Sequence, residues 1–289
     1  MPELPEVETI RRDLEETVQG RRITGVFLYV PAVVRHPDPE AFVRDMVGKR
    51  IEGAERRGKH LLIRLSGGWV WAVHLMLEGQ LLYMDGDEPV ASGTKLSVQL
   101  DNCFQLRLRD VVDLAKVALA PEDAIASVLG LSKLGPEPME PAFTFERFEE
   151  RLKGRTGMIK PLLMNQAVMA GVGNLYADEA LFRARIHPER KASTLTPDER
   201  RRLYTELRAV LEEGIRYRGT SGKRGLYRDL WGRKGQYQER LQVFRRQGEA
   251  CPGCPGKVEL IRVGGRATHV CPSCQLKEPA PVAPRGWAR

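Results

Sequence analysis

Val7, Ile10, Leu14 and Val18 recur at three- and four-residue intervals, which predicts an amphipathic helix that opens at Pro5 and ends before Gly20. From Arg22 to about Val117 the period shortens. Apolar and β-branched runs at 25–30, 61–65, 69–73, 96–100 and 104–108 read as strands separated by Gly, Asp and Asn. Many short strands at this spacing predict a sandwich or barrel. The stretch 134–141, with three prolines, suits neither helix nor central strand and reads as a linker. Helical spacing then returns. Thr144 caps a helix from about Phe145 to Lys153, with Gly154 beyond it. Thr196-Pro197-Asp198-Glu199 has the form of a capping box and opens a helix with an apolar face of Leu203, Leu207, Val210 and Leu211. The chain has no internal repeats.

Composition narrows this. A length of 289 residues suggests two domains, and 42% hydrophobic content allows a packed core. The net charge of +8 favours a polyanionic partner, against the alternative of a merely basic surface. No apolar run approaches bilayer length, and the start MPELPEVETIRRDLEE lacks the basic and apolar parts of a signal peptide. The expectation is no membrane and a cytoplasmic location, where thiols stay reduced.

Four of the five cysteines fall near the C-terminus. Cys251-Pro-Gly-Cys254 and Cys271-Pro-Ser-Cys274 are two C-x2-C knuckles separated by 16 residues. Two knuckles supply the tetrahedral sulfur set that zinc prefers and leave no open position for catalysis, so the expected cofactor is one structural Zn2+. Residues 258–270 between them read as a hairpin turned at Gly264-Gly265, and Cys103 reads as a core thiol.

The start Met1-Pro2-Glu3-Leu4-Pro5-Glu6, the run from Ala170 through Gly173-Asn174 to Leu181, and the terminal Gly265-Arg266 to Gln275 together resemble formamidopyrimidine-DNA glycosylase, an oxidised-base repair family. The resemblance implies an α+β chain of two domains: an N-terminal β-sandwich flanked by helices, then a helix–two-turn–helix domain with a four-Cys zinc finger. On this basis 1–135 is the catalytic sandwich, 136–245 the DNA-binding domain with a lesion-capping loop, 246–276 the zinc finger and 277–289 a disordered tail. The implied partner is double-stranded DNA containing a damaged base, bound by a monomer.

The resemblance also implies site residues. Removal of Met1 leaves Pro2 as a free secondary amine. An α-amino group titrates near ~7.7–8.0, so on the order of a tenth is neutral at pH 7, whereas a lysine near ~10.4 needs a large shift. Pro2 is the implied nucleophile, with Glu3 as general acid and base. Glu6 is a supporting carboxylate, which the residues alone read equally as a first-turn glutamate serving the helix dipole. Lys59 matches a catalytic lysine near the damaged nucleotide's phosphate, which the residues alone read as solvated surface. His74, Lys160 and Asn174 match phosphate ligands, although His74 by itself reads as a satisfied core histidine. Arg266 matches a catalytic-site arginine that grips phosphates around the extruded nucleotide. The segment 216–246 holds ten Arg or Lys against two acids, interleaved with Tyr217, Tyr227, Trp231 and Tyr237, a pattern that suits phosphates and base stacking.

The sequence departs from the family where side chains fill the space left by the flipped base. Leu77 stands where a methionine is usual, and Asp110-Val111-Val112-Asp113-Leu114-Ala115 has Val112 and Leu114 in place of the usual arginine and phenylalanine. Leu77 and Leu114 suit an apolar wedge, but valine cannot read the opposite base. The expected activity is excision of oxidised purines followed by strand cleavage. The alternatives are the same chemistry on oxidised pyrimidines or abasic sites, or a damage-binding relative. A zinc-finger regulator fits poorly, because no recognition helix follows the hairpin.

Overall fold

The computed structural model describes residues 2–222 and 225–277; most of the proline-rich end 277–289 lies outside the described residues. In chain order the elements are α1 (Leu4–Val18), β1 (Ile23–Leu28), β2 (Val34–His36), α2 (Pro39–Met46), β3 (Ile51–Arg57), β4 (His60–Leu65), β5 (Trp69–His74), β6 (Gln80–Asp85), β7 (Thr94–Leu100), β8 (Phe104–Arg109), β9 (Lys116–Pro121) and α3 (Glu122–Leu129). They continue with α4 (Phe145–Leu152), α5 (Ile159–Met164), α6 (Asn174–Arg183), α7 (Pro197–Arg216), β10 (Glu259–Val263) and β11 (Arg266–Val270). The chain forms two compact units: Met1–Glu140 with Gln166–Val172 and Leu211–Arg240, and Pro141–Asn165 with Gly173–Val210 and Leu241–Arg289.

The first unit is a sandwich of a four-stranded sheet, β1-β7-β8-β6, and a five-stranded sheet, β2-β9-β5-β4-β3. All pairs are antiparallel except β2 with β9. The helical stripe Val7, Ile10, Leu14 and Val18 is buried in one core with Leu61, Ile63 and Trp71 of one sheet and Leu106 and Leu108 of the other. Strand β5 is apolar on both faces for a reason. Trp71 and Val73 point into this core, while Val70 and Ala72 pack with Ala118 and Ala120 of β9 and with Ile125 of α3.

The second unit holds α4 to α6, α7 as far as Val210, and the β10–β11 hairpin. Thr144 caps α4 by accepting the Arg147 N–H, and the capping box of α7 closes reciprocally between Thr196 and Glu199. The hairpin turns at Gly264 and Gly265 with Val263 opposite Arg266.

Candidate active site and nucleic-acid interface

In the first unit, Pro2 and Glu3 are buried at the N-terminus of α1. Glu3 is the N-cap, and its side chain accepts the Glu6 N–H. Glu6 Oε2 returns the bond by accepting the Glu3 N–H at 2.9 Å. Behind them lies the segment 166–172. Leu4 donates its N–H to Gly171 O at 3.0 Å, and a Cβ at Gly171, where φ is +91°, would sit 2.8 Å from Leu4 Cβ. Gln166 fixes this segment by accepting the Gly171 N–H and donating to Val172 O. The sequence reading missed Gln166.

The other oxygen of Glu6 accepts the Thr220 N–H at 2.8 Å. The contact requires Gly219, where φ is +77° and a Cβ would lie 2.7 Å from Glu6 Cγ. Arg218 pairs with Asp13 and Asp229, and Arg233 also pairs with Asp229. Tyr227 and Tyr237 are buried, against the expectation that they present stacking surfaces; Trp231 remains exposed. Burial, together with the nearby Glu6 and Asp229 carboxylates, raises the Tyr227 phenol well above its usual range. This part of the basic segment therefore packs on α1 through Arg218, which reaches Asp13, and Tyr227, which joins the core with Val7 and Ile10.

Lys59 lies half-buried in the turn between β3 and β4. That turn is held from the stretch expected to be a linker. Glu137, 1% exposed, accepts the Gly58 N–H at 2.7 Å and pairs with Arg56 and Arg57. A side chain at Gly58 would start 3.6 Å from Gly171 N, so the Lys59 turn and the start of α1 meet on the same 170–171 segment. At the end of β5, His74 Nδ1 accepts the Met76 N–H at 3.1 Å, which leaves the ring proton on Nε2. Burial, then the nearby His60, Lys59 and Arg35, push His74 down to about 3. Its imidazole is thus a neutral donor at pH 7. The rings of His60 and His74 meet edge to face at 4.5 Å.

The 110–115 loop is a fixed apolar tip. Asp110, 1% exposed, accepts the N–H groups of Val112, Leu114 and Ala115. Val111, Val112 and Leu114 project outward, and Leu77 is also exposed. Asp113 pairs with Lys95.

In the second unit, the Sγ atoms of Cys251, Cys254, Cys271 and Cys274 all lie within 4.8 Å of one another. Cys251 to Cys274 is 3.8 Å and Cys254 to Cys271 is 3.5 Å. A tetrahedral ion with sulfur at ~2.3 Å requires edges of about 3.8 Å, so the four thiols fit one metal ion. The Gly253 and Gly256 N–H groups point at Cys251 and Cys254 Sγ, as suits thiolates. Glu179, missed in the sequence, anchors the approach to this cluster by accepting the N–H groups of Gln242, Val243 and Phe244. Arg266 is exposed at the start of β11. Asn174, at the start of α6, donates to Ala267 O at 3.0 Å. Lys160, which the resemblance assigns to a phosphate, is instead wholly buried against Asp178 and Thr268, because an ammonium and a carboxylate satisfy each other inside the unit.

The family model described as the formamidopyrimidine-DNA glycosylase N-terminal domain matches residues 1–117, and that of the formamidopyrimidine-DNA glycosylase H2TH domain matches 134–224. The chain belongs to the formamidopyrimidine-DNA glycosylase family. The formamidopyrimidine-DNA glycosylase of Pelotomaculum thermopropionicum is 46% identical over 275 residues, covering 95% of this chain and 99% of the relative. That of Desulforamulus reducens is 42% identical, covering 95% and 99%. Among solved structures, the Lactococcus lactis Fpg in complex with an abasic-site-containing DNA is 34% identical, with a TM-score of 0.89, covering 95% of this chain and all of that one. The wild-type Lactococcus lactis Fpg with an N7-benzyl-Fapy-dG-containing DNA is 34% identical with a TM-score of 0.89, covering 96% of this chain and all of that one. The α+β fold of this family member is thus a β-sandwich followed by an H2TH region and a four-cysteine hairpin. No helix among the described residues is long and apolar enough to cross a membrane.

Proposed function

We propose that this protein is a base-excision-repair DNA glycosylase with abasic-site lyase activity, acting on duplex DNA that carries an oxidised purine such as 8-oxoguanine or a formamidopyrimidine. The observation that carries the reading is the start of α1, where Pro2 and Glu3 are buried at a helix N-terminus joined by hydrogen bonds to the 166–172 and 219–220 segments. Such a network suits a nucleophile that must hold one position.

Once Met1 is removed, the neutral Pro2 nitrogen attacks C1′ of the lesion's deoxyribose, and the bond from C1′ to the base breaks with its electron pair leaving on the base. The alkylated Pro2 nitrogen gives up its proton, which neutralises the departing base. Glu3 then gives a proton to the ring oxygen as the ring opens, and an iminium joins Pro2 to C1′. The iminium acidifies C2′. Loss of a C2′ proton expels the 3′ phosphate, a second elimination expels the 5′ phosphate, and water releases Pro2. The base must leave the stack for this attack. Lys59 supports the reacting nucleotide, and His74 and Asn174 offer uncharged N–H donors to phosphates. Glu6 braces Glu3 and the 219–220 segment. Leu77 and Leu114 fill space in the base stack. Arg266 grips phosphate through its planar guanidinium.

The reading includes one structural Zn2+ on Cys251, Cys254, Cys271 and Cys274. Zinc would fix the hairpin that presents Arg266 and would take no part in the chemistry. It also includes the functional division 1–135, 136–245 and 246–276, a monomer and a cytoplasmic location.

Borohydride trapping tests the proposal. Duplexes with 8-oxoguanine, dihydrouracil or an abasic site are incubated with the protein, and reduction captures the iminium as a covalent adduct. Expected is an adduct that forms most on 8-oxoguanine and disappears in Pro2→Gly and in protein that retains Met1. Tight binding without an adduct on any duplex overturns the enzymatic reading.

A further inference from the structure

Lys160 is the second residue of α5 and is 0% exposed. Its ammonium has three N–H donors, and three acceptors lie in reach: Asp178 Oδ1 at 2.7 Å, Thr268 Oγ1 at 2.7 Å and Ala267 O at 3.2 Å. A buried charge is tolerated only when matched in this way. The other carboxylate oxygen, Asp178 Oδ2, accepts the His269 N–H at 2.9 Å and faces His269 Nδ1 at 3.1 Å. Asp178 and Lys160 therefore grip consecutive residues of β11, the strand that begins at Arg266.

The grip reaches Arg266 itself. Thr268 Oγ1 accepts from Lys160 and donates its own proton to Arg266 O at 3.0 Å. The hairpin turn also rests on α5 beside Lys160, since a Cβ at Gly264 would lie 2.8 Å from Pro161 Cγ.

We propose that Lys160, Asp178 and Thr268 are positioning residues that set the backbone of Arg266, so that Lys160 acts on the DNA phosphates only through the hairpin. This rests on the proposed phosphate role of Arg266. It differs from a direct phosphate contact, which would require an ammonium that is 0% exposed to reach the DNA, and from a purely structural ion pair, which would change stability alone.

The salt dependence of binding separates these cases. For a duplex, the slope of log K against log salt becomes shallower by about 0.9 for each phosphate the protein ceases to neutralise. The zinc-loaded full chain is titrated with a lesion duplex at several salt concentrations as wild type, Arg266→Ala, Thr268→Val, Asp178→Asn and Lys160→Met, and with each of the last three combined with Arg266→Ala. Thr268→Val keeps the side-chain volume and the Lys160–Asp178 pair, and zinc content is measured for every variant. Expected is a slope shallower by about 0.9 in every single variant, with no further change in any double variant. Asp178→Asn is informative, because a carboxylate cannot itself hold a phosphate. Slope changes that add in the Lys160→Met double variant mean that Lys160 touches DNA, and sink this proposal alone. Single variants of Lys160, Asp178 and Thr268 that lose stability but keep the wild-type slope also sink it. An unchanged slope in Arg266→Ala removes the phosphate role of Arg266 from the proposed function, and this proposal with it.

Discussion

Thr220 donates its backbone N–H to Glu6 Oε1 at 2.8 Å across 214 positions of chain. The same carboxylate takes the Glu3 N–H through Oε2, so the 219–220 segment and the residue after the proposed nucleophile share one acceptor group. Glu6→Gln keeps the shape but turns one of the two acceptors into a donor that faces an N–H. A hydrogen bond to a charged group is worth about 1.5–3 kcal/mol, and each ~1.4 kcal/mol is a factor of ten in rate. The expected result is base release slowed about tenfold, with faster amide exchange at Glu3 and Thr220. Wild-type exchange at both amides would show that the shared carboxylate does not couple them.

The pattern of apolar positions carried the secondary structure where local rules decide it. The stripe of α1, the capping boxes and the hairpin at Gly264-Gly265 all follow from residues a few positions apart. It did not carry the polar residues that organise the site. Glu137 is buried because it holds Gly58, 79 positions away, and Glu179 because it holds Val243, 64 positions away. Nothing local marks either as an internal acceptor. Lys160 and Tyr227 show the reverse, since both are buried. Each is a residue type suited to DNA, yet Asp178 satisfies one and the packing on α1 encloses the other.

Acid should weaken the first unit through its histidine pair. Burial holds His60 down to about 4 and His74 to about 3, below the ~6.5 of an unfolded histidine. The unfolded chain binds the protons first, so the stability these rings contribute is present above pH ~6.5 and is lost as pH falls toward the folded values. Between pH 7 and pH 5 the loss is about 2 kcal/mol per histidine. Urea unfolding at the two pH values should show that loss in the wild type and a smaller one in His60→Gln or His74→Gln. Equal losses in all three proteins would place the acid sensitivity elsewhere.

Metal removal should affect one unit and spare the other. The four thiols hold the β10–β11 hairpin, whose β11 begins with Arg266, and Val243 and Val258 pack around them. Without the ion the two knuckles at the base of the hairpin lose their common anchor, although Lys160 and Asp178 still hold β11. Trp69, Trp71 and Trp231 all belong to the first unit. Chelation, or Cys254→Ser, is expected to reduce affinity for a lesion duplex by more than about tenfold while the emission of buried Trp71 stays unchanged. A concurrent shift in that emission would mean that the sandwich also depends on the metal.

The tip at 111–114 sets an expectation about the base opposite the lesion. Asp110 fixes the backbone by taking three N–H groups, so Val111, Val112 and Leu114 stand outward in one arrangement. None of these side chains has a donor or acceptor, and Asp113 is engaged with Lys95. Apolar side chains can fill a gap in the stack, but discrimination among bases by hydrogen bonding is worth about 1–3 kcal/mol for a good bidentate pair and is lacking here. Single-turnover excision of 8-oxoguanine is therefore expected to vary by no more than about threefold among the four opposite bases, less than the ~1.4 kcal/mol that makes a tenfold difference. Val112→Arg places a guanidinium on the same fixed backbone and is expected to widen the spread to about tenfold or more. A wild-type enzyme that already separates the opposite bases by tenfold would show that they are read from outside this loop.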